Sequence, residues 1–355
     1  MPREQKQRTC VGTGLIVLDI IRNVADKQPA EMRLAGGSCG NVLTILSYFG
    51  WTTHAVGRIG RDGIGTELIR DLEKWGVQTT LLAKEASRRT PVFVQENYLD
   101  AKGRPRHRFL RDCPVCGMTL PPYRPLLVSS VPSIAEKLPP HSIFYFDRVS
   151  PGTLELARRS RSSGALVVFE PSGIRTEEMF VECLKLAHIF KYSNERISGI
   201  DALVERAKVP IEINTRGAGG LAFRHRANGR RGNWKDLPAF PVPHLRDSAG
   251  SGDWCTAGVI QCLASGNSLP SSLNNAKAVT TAIRYGQALA ALNCSFHGAR
   301  GLMYQANATK VLELASAIAS GEEVPQSFTA KRLKPRQHRS GSTSCIACTS
   351  STDRR

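Results

Sequence analysis

Long apolar runs are missing from this sequence. No stretch of the 355 residues approaches the roughly 18 uninterrupted apolar residues that mark a membrane-spanning helix, so such a helix is excluded. The N-terminal segment "MPREQKQRTC" carries charge but no apolar h-region, and it does not read as a secretory signal. We therefore expect a cytoplasmic protein that makes no membrane contact.

Acidic residues are also scarce. There are 30 Asp and Glu against 48 Lys and Arg, a formal net charge of +18. The basic residues cluster in "RRSR" (158–161), in "RHRANGRR" (224–231) and in the segment 326–355. This excess favours anionic ligands or nonspecific contact with nucleic acid, and by itself it does not choose between them.

The order of apolar segments predicts an α/β fold. The run "CVGTGLIVLDII" (10–21) is typical of a buried strand, and from residue 142 onward short apolar strands alternate with helical patterns. This alternation predicts a central, mainly parallel sheet flanked by helices, in one domain over residues 1–321. Polar alternation predicts a small β lid from about 22–35 and 77–111. Beyond residue 321 the apolar periodicity stops, and 322–355 are predicted to be a disordered basic tail.

The stretch "RDSAGSGDWCTAG" (246–258) is the first candidate for chemistry. A helix starting near Asp253 would present the amides of the small residues before it at a helix N-terminus, which favours bound phosphate. Asp253 would then accept the proton of a hydroxyl that attacks a phosphoryl group. The structural alternative is a glycine-rich turn with Asp253 as N-cap.

Three segments together resemble the PfkB/ribokinase family of carbohydrate and nucleoside kinases. "DSAGSGDWCTAGV" is similar to the family's C-terminal signature, and "LAGGSCGNVLTILSYFGWTTHAVGRIGRDGIGTEL" (34–68) to its N-terminal signature. "INTRGAGGLAF" (213–223) resembles the nucleotide-binding strand and loop. The segments follow the family's order, and the resemblance covers about residues 9–303. It implies a ribokinase-like fold and an ATP-dependent kinase.

The resemblance also implies roles for single residues. Asp253 matches the catalytic base, and Ala249, Gly250, Ser251 and Gly252 match the anion hole. Asp19, Gly36, Gly37 and Asn41 match substrate contacts, although Asp19 could instead cap a strand end. Asp247 matches a ligand of a monovalent cation such as K⁺. On the ATP side, the matching residues are Asn194, Thr215, Gly217 and Gly220.

One departure from the family pattern concerns magnesium. Family members often carry Asn-x-x-Glu, which helps to organise Mg²⁺ and phosphate, whereas this chain has "NERI" with Ile197 at the glutamate position. Glu195 is adjacent but would point to a different face. The departure puts the handling of Mg²⁺ in doubt, and not the assignment of phosphoryl transfer.

A cysteine-containing insertion, "DCPVCGMTLPPYRP" (112–125), has the form of a zinc knuckle. Cys113 and Cys116 could hold a structural Zn²⁺ if a second pair of ligands were supplied. Cys345 and Cys348, a site shared across a homodimer, or His107 with another histidine could supply it. A loop with free thiols is the alternative.

The predicted function is transfer of the γ-phosphoryl group of ATP to a hydroxyl of a sugar, sugar phosphate or nucleoside. The basic run "KGRPRHRF" (102–109) could reach over a phosphorylated acceptor, or it could be a solvated hairpin tip. The alternative function is a non-catalytic ligand-binding or nucleic-acid-binding protein on the same fold. Ile197 and the net charge motivate this alternative.

Overall fold

We describe the fold from a computed structural model, in which residues 8–24, 31–101, 103, 105–227, 229–264 and 269–328 are described. The strands are β1 (Thr9–Thr13), β2 (Val17–Asn23), β3 (Glu31–Gly36), β4 (Thr52–Gly60), β5 (Val77–Gln78), β6 (Leu82–Glu85), β7 (Val92–Leu99), β8 (Pro105–Leu110), β9 (Ile143–Phe146), β10 (Leu166–Phe169), β11 (Ile189–Ser193), β12 (Ile211–Thr215), β13 (Leu221–Ala227), β14 (Arg230–Arg231) and β15 (Lys235–Leu237). The helices are α1 (Ser38–Tyr48), α2 (Gly63–Lys74), α3 (Val131–Lys137), α4 (Pro151–Ser162), α5 (Glu177–Leu186), α6 (Asp201–Ala207), α7 (Ser251–Leu263), α8 (Leu269–Asn274), α9 (Ala276–Asn293) and α10 (Ala308–Ala319).

The main sheet is mostly parallel. Within the described part of the chain it has 11 strands, which run in the order β14-β13-β12-β11-β10-β9-β1-β4-β5, with β15 beside β13 and β6 beside β4. In this order, neighbouring strands from β12 through β1 to β5 are parallel. Strand β13 is antiparallel to each of its partners β12, β14 and β15. The predicted central, mainly parallel sheet is confirmed. Its carboxyl edge is where ligands bind in open α/β sheets.

Two apolar clusters cover the two faces of this sheet. Along β9 the side chains alternate, since Ile143 and Tyr145 belong to one cluster and Phe144 and Phe146 to the other. The first cluster packs against α1, α2, α7, α9 and α10, and the second against α3, α4, α5 and α6. The sheet is therefore flanked by helices on both faces, as predicted.

The lid is a second sheet with the order β3-β2-β7-β8. The run 10–21 is not one strand, because the chain turns at Gly14, where φ is 143° and a Cβ would lie 1.7 Å from Asp147 Oδ1. The lid therefore begins at Val17. Residues 77–85 differ from the expectation as well, because β5 and β6 pair with β4 of the main sheet. Strands β5 and β6 have only two and four residues, which is too short for the sequence pattern to indicate the sheet to which they belong.

Most of the basic clusters are paired within the protein. In the run 224–231, Arg224 and Arg231 both bond to the buried Glu212, with closest approaches of 2.5 and 2.9 Å. In the lid, Arg108 bonds to the buried Glu96 at 2.8 Å. Lys102, Arg104 and the side chain of His107 lie outside the described residues, as do Cys345 and Cys348.

The packed chain extends beyond residue 321. Val324 is buried, and the ring of Phe328 lies 5.5 Å from that of Phe296. The rest of the predicted tail, from residue 329 onward, lies outside the described residues. Among the described helices, none has the length and apolar character that crossing a membrane requires.

Candidate active site

The amino end of α7 provides a cradle of amides. Gly250, the N-cap, has φ 75°, and a Cβ there would lie 2.4 Å from the carbonyl oxygen of Ala299. Only glycine fits this close approach without strain. The Ala249 amide donates to Asp247 Oδ1 at 2.9 Å, and the Ser251 amide to the Ser248 carbonyl at 3.2 Å.

Three amides at this end remain available. Within the described residues no acceptor faces the N–H groups of Gly250, Gly252 and Asp253. Unpaired N–H groups at a helix N-terminus bind anions, and the helix dipole adds to the attraction. Of the four residues predicted as an anion hole, Gly250 and Gly252 therefore keep amides that can contact a phosphoryl group, and Asp253 adds a third.

Asp253 lies in the first turn of α7 and is 8% exposed. The side-chain amide of Asn41, on α1, donates to Asp253 Oδ2 at 2.7 Å. These two residues are 212 positions apart in the sequence. The contact brings the N-terminal and C-terminal signature segments into one site. Asn41 Oδ1 is buried and has no partner among the described residues, so it can still accept a hydrogen bond.

Burial raises the pKa of the Asp253 carboxyl to about 7, and the negative charge of Glu170 adds to the effect. The hydrogen bond from Asn41 and the positive charge of Lys191 oppose it, while Asp147 raises it further. A carboxyl with a pKa near neutrality is suited to general-base work, because the free base still has a useful affinity for a proton.

Asp19 lies on β2, over the glycine pair that precedes α1. A Cβ on Gly36 would lie 1.8 Å from Asp19 Oδ2, so the carboxylate occupies the space that glycine leaves. Burial raises the pKa of Asp19 to about 7, while the charge of Arg300 and the main chain of Gly37 act in the opposite direction. Gly37, the N-cap of α1, has φ 78°.

Arg300 joins this group from the far end of the chain. Its side chain is buried and bonds to Asp71 Oδ2 at 2.6 Å and to the carbonyl oxygen of Ala35. Arg300 therefore ties the loop after α9 to the lid strand β3 and to α2. The sequence analysis did not identify this residue as part of the site.

Asp247 is held by the same loop. Its Oδ2 accepts the amide of Gly298 at 2.9 Å, while its Oδ1 accepts the amide of Ala249. The carboxylate is 7% exposed. Loop 294–301 and the start of the C-terminal signature thus meet at the Asp247 carboxylate, since each of its oxygens accepts one main-chain amide.

The four residues predicted to contact ATP lie together at the ends of β11 and β12. The amide of Asn194 donates to the carbonyl of Thr215 at 3.1 Å, which fixes the two strand ends. Gly217 (φ 53°) and Gly220 (φ 87°) bound the turn between β12 and β13. Asn194 and Gly217 are exposed, so a nucleotide can reach them.

Ile197 has a structural explanation. It is 4% exposed and belongs to the apolar cluster under α5 and α6. Glu195 instead is exposed, and its Oε1 would lie 3.7 Å from a Cβ on Gly217. The position that carries glutamate in the family pattern is therefore part of the core here, and Glu195 lies beside the turn between β12 and β13.

The cysteine insertion forms a tight hairpin. The Cys113 amide bonds to the Met118 carbonyl at 2.8 Å, and Gly117 takes φ 72°. Cys113 is buried in the core and Cys116 is exposed. In the described part of the chain no three side chains of the His, Cys, Asp or Glu type converge as a metal site. Because Cys345 and Cys348 are outside that part, zinc binding stays a prediction.

Comparisons with known proteins agree with this arrangement. Residues 7–102 match the model of the pfkB family carbohydrate kinases. A fructokinase of Vibrio alginolyticus is 23% identical over 309 residues, which cover 81% of this chain and 93% of that protein.

Solved structures share the fold. A fructokinase from Xylella fastidiosa with bound ATP superimposes with a TM-score of 0.68 at 20% identity, covering 89% of this chain and 100% of that one. A fructokinase double mutant from Vibrio cholerae, in a form with bound fructose, ADP and potassium ion, gives a TM-score of 0.65 at 18% identity, covering 86% and 98%. The predicted ribokinase-like fold is confirmed.

Proposed function

We propose that this chain is a carbohydrate or nucleoside kinase like the pfkB family proteins that it resembles, and that it transfers the γ-phosphoryl group of ATP to a hydroxyl of a sugar, sugar phosphate or nucleoside with Asp253 as the base. The contact between Asn41 and Asp253 at 2.7 Å carries this proposal. It joins the segment proposed to bind the acceptor to the carboxylate proposed to deprotonate it, directly beside the free amides of α7.

In this proposal the acceptor hydroxyl lies between Asp253 and the γ-phosphoryl group. Asp253 accepts the proton as the hydroxyl oxygen attacks phosphorus, and the bond to the leaving ADP oxygen breaks. The amides of Gly250, Gly252 and Asp253 stabilise the charge on the transferred group, since oriented amides need no reorganisation during the reaction. Mg²⁺ bound to the ATP phosphates supplies further neutralisation of charge.

The acceptor is proposed to lie against Asp19, Gly36, Gly37 and Asn41. The Asp19 carboxylate and the free Asn41 Oδ1 are acceptors for sugar hydroxyl groups. The glycines allow the acceptor to approach the main chain closely, because neither has a Cβ. A sugar hydroxyl thereby supplies the polar partner that Asn41 Oδ1 lacks among the described residues.

Two ion roles belong to the same proposal. Asp247 would hold a monovalent cation such as K⁺, which would fix the loop 294–301 against the anion hole. Asp247 already joins that loop to the segment before α7, because it accepts the amides of Gly298 and Ala249. For Mg²⁺, the exposed Glu195 lies beside Gly217 on the proposed ATP side, and Mg²⁺ commonly keeps several water ligands while binding phosphate.

The decisive experiment replaces the base. We expect Asp253→Asn to lower kcat by about 10²–10⁴-fold, because the amide cannot accept the proton, while the Kd for ATP stays within a few-fold. The assay is ADP release across a panel of sugars, sugar phosphates and nucleosides. Glu313→Gln, at an exposed position on α10, is the control and should retain wild-type turnover. Unchanged turnover of Asp253→Asn would refute the role of Asp253.

A second variant tests the acceptor site. Asp19→Ala should raise the KM for the acceptor by at least about tenfold, since a charge-assisted hydrogen bond is worth about 1.5–3 kcal/mol. The KM for ATP serves as the internal control and should hardly change. An acceptor KM equal to that of the wild type would remove Asp19 from the site.

A further inference from the structure

A buried ion pair lies beneath the first turn of α7. Lys191, on β11, has a side chain that is 3% exposed, and its Nζ bonds to Glu170 Oε1. Glu170 directly follows β10, and its Oε2 accepts from Thr256 Oγ1 at 2.5 Å and from the Tyr145 hydroxyl at 3.3 Å. Strands β10 and β11 and helix α7 thus converge on one carboxylate.

The pair touches the site through Gly252. A Cβ on Gly252 would lie 3.4 Å from Lys191 Nζ and 3.6 Å from Glu170 Oε1. The charged atoms therefore lie against the turn that carries the free amides and Asp253. These are van der Waals distances, so the ion pair packs directly against the main chain of this turn.

Stability alone does not explain the pair. Transfer of two charges from water into the interior costs several kcal/mol for each ion, and an apolar pair of equal volume is often as stable. Most of the surrounding cluster is apolar: Val168, Ile189, Ile213, Val259 and Ile260 line the small space around the Lys191 stem. A leucine or methionine would fill the position of Lys191 with less desolvation.

The groups that face Asp253 come from four elements. Helix α1 supplies Asn41 and Cys39, strand β9 and its end supply Tyr145 and Asp147, the end of β10 supplies Glu170, and β11 supplies Lys191. Among these groups Lys191 is the one cation, while Arg148 pairs with Asp147 at 3.3 Å. Cys255, on α7 itself, is a thiol whose pKa burial raises to about 11, so it stays neutral at physiological pH.

We propose, on the basis of the proposed function above, that the Lys191–Glu170 pair holds the first turn of α7 and governs the ionisation of Asp253, so that both are positioning residues for the base. The two members act in opposite directions. Lys191 favours the ionised carboxylate of Asp253 and Glu170 opposes it, and their direct bond keeps the balance between them.

Opposite shifts of one pH profile test this proposal. The profile of kcat/KM on the acid side should move to higher pH in Lys191→Met and to lower pH in Glu170→Gln, each by about one pH unit, the lower end of what a neighbouring charge produces. Lys191→Arg, which keeps the charge, should lie close to the wild type. The double variant Glu170→Gln/Lys191→Met should lie between the single variants.

A measurement without turnover makes the test independent of the reaction. The Asn41 side-chain amide donates to Asp253, so its ¹⁵N resonance reports the titration of that carboxyl in the protein without substrate. The resonance should show the same opposite shifts. The double variant buries no unpaired charge, so it remains informative if one single variant fails to fold.

The two proposals fail in different ways. Titration midpoints of Asp253 that are unchanged, or that shift in the same direction in both single variants, would overturn the role of the pair even if Asp253→Asn were inactive. Wild-type turnover of Asp253→Asn would overturn the base, while opposite shifts of the Asn41 resonance would still support the electrostatic role of the pair.

Discussion

At the residue scale, the pKa values predict how activity depends on pH. Burial raises the pKa values of Asp253 and Asp19 to about 7 each. Asp253 accepts a proton only when ionised, so kcat/KM should fall as the pH drops below about 7 and should level off above it. In Asp19→Asn the fall on the acid side should remain, with a reduced slope, because only Asp253 still titrates. Initial rates from pH 5.5 to 8.5 would check this, and a flat profile would contradict it.

The same carboxyl predicts a gain in stability. The ordinary pKa of an aspartate is 3.8, so the folded protein binds the Asp253 proton more tightly than the unfolded chain does. Ionised Asp253 therefore lowers the free energy of unfolding above pH 7, and below pH 4 this cost vanishes. We expect Asp253→Asn to be more stable than the wild type at pH 8, by on the order of 1–4 kcal/mol, and nearly equal at pH 4. Urea unfolding at both pH values measures the difference; a variant less stable at pH 8 would contradict the prediction.

At the scale of single elements, the start of α7 depends on one backbone conformation. Gly250→Ala would place a Cβ 2.4 Å from a carbonyl oxygen at φ 75°, so the main chain must move. We expect a loss of about 1–3 kcal/mol in stability and a marked fall in kcat, because the free amides move with it.

A matched control exists at the start of α2. Gly63 also begins a helix, its φ is not positive, and no described atom lies within 4 Å of its Cβ position. Gly63→Ala should therefore leave both stability and kcat close to the wild type. Unfolding curves and ADP release on the two variants make the comparison. Equal behaviour would show that the cradle of amides does not depend on Gly250.

Elements were predictable where a local signal marks their ends. Helix α7 begins at Ser251, within two residues of the start near Asp253 that the sequence predicts. Asn275 marks the start of α9 in a similar way, because its side chain accepts the amides of Lys277 and Ala278 at 3.0 and 3.1 Å. The prediction of one buried strand over residues 10–21 was wrong, because the run is divided between β1 and β2. Both halves of the run are buried, so its hydrophobicity cannot show that they belong to different sheets.

The candidate site divides in the same way. Asp253, Asn41 and Asp19 lie in segments with distinctive spacing, so the sequence predicted them as site residues. Glu170 and Lys191 lie at or near the ends of β10 and β11 without a motif, so nothing local marks them. The available signal was general: polar residues at the carboxyl ends of parallel strands meet at one edge of the sheet.

At the scale of the whole molecule, the net positive charge does not form one continuous basic surface among the described residues. Glu212 and Arg224 are direct partners in the β12–β13 register, and the ion pair between them is buried. In "RRSR", Arg158 pairs with Glu182 and Arg159 with Glu155. These arginines are therefore paired with carboxylates of the same chain, in the interior or at the surface, which composition alone cannot show.

The last prediction separates the remaining charge from catalysis. Residues 329–355 contain seven Lys or Arg against one Asp, while both apolar clusters and every residue proposed to contact ATP or the acceptor lie before residue 329. A chain that ends at residue 328 should therefore keep the kcat and KM values of the full chain. If the full chain binds DNA at low salt, the shortened chain should bind more weakly and with a smaller slope of log K against log salt, since fewer phosphates are neutralised. Parallel ADP-release and DNA-binding titrations test both halves. A shortened chain that lost turnover would place part of the catalytic function in those residues, and DNA binding with an unchanged salt slope would place the nucleic-acid contact on the folded domain.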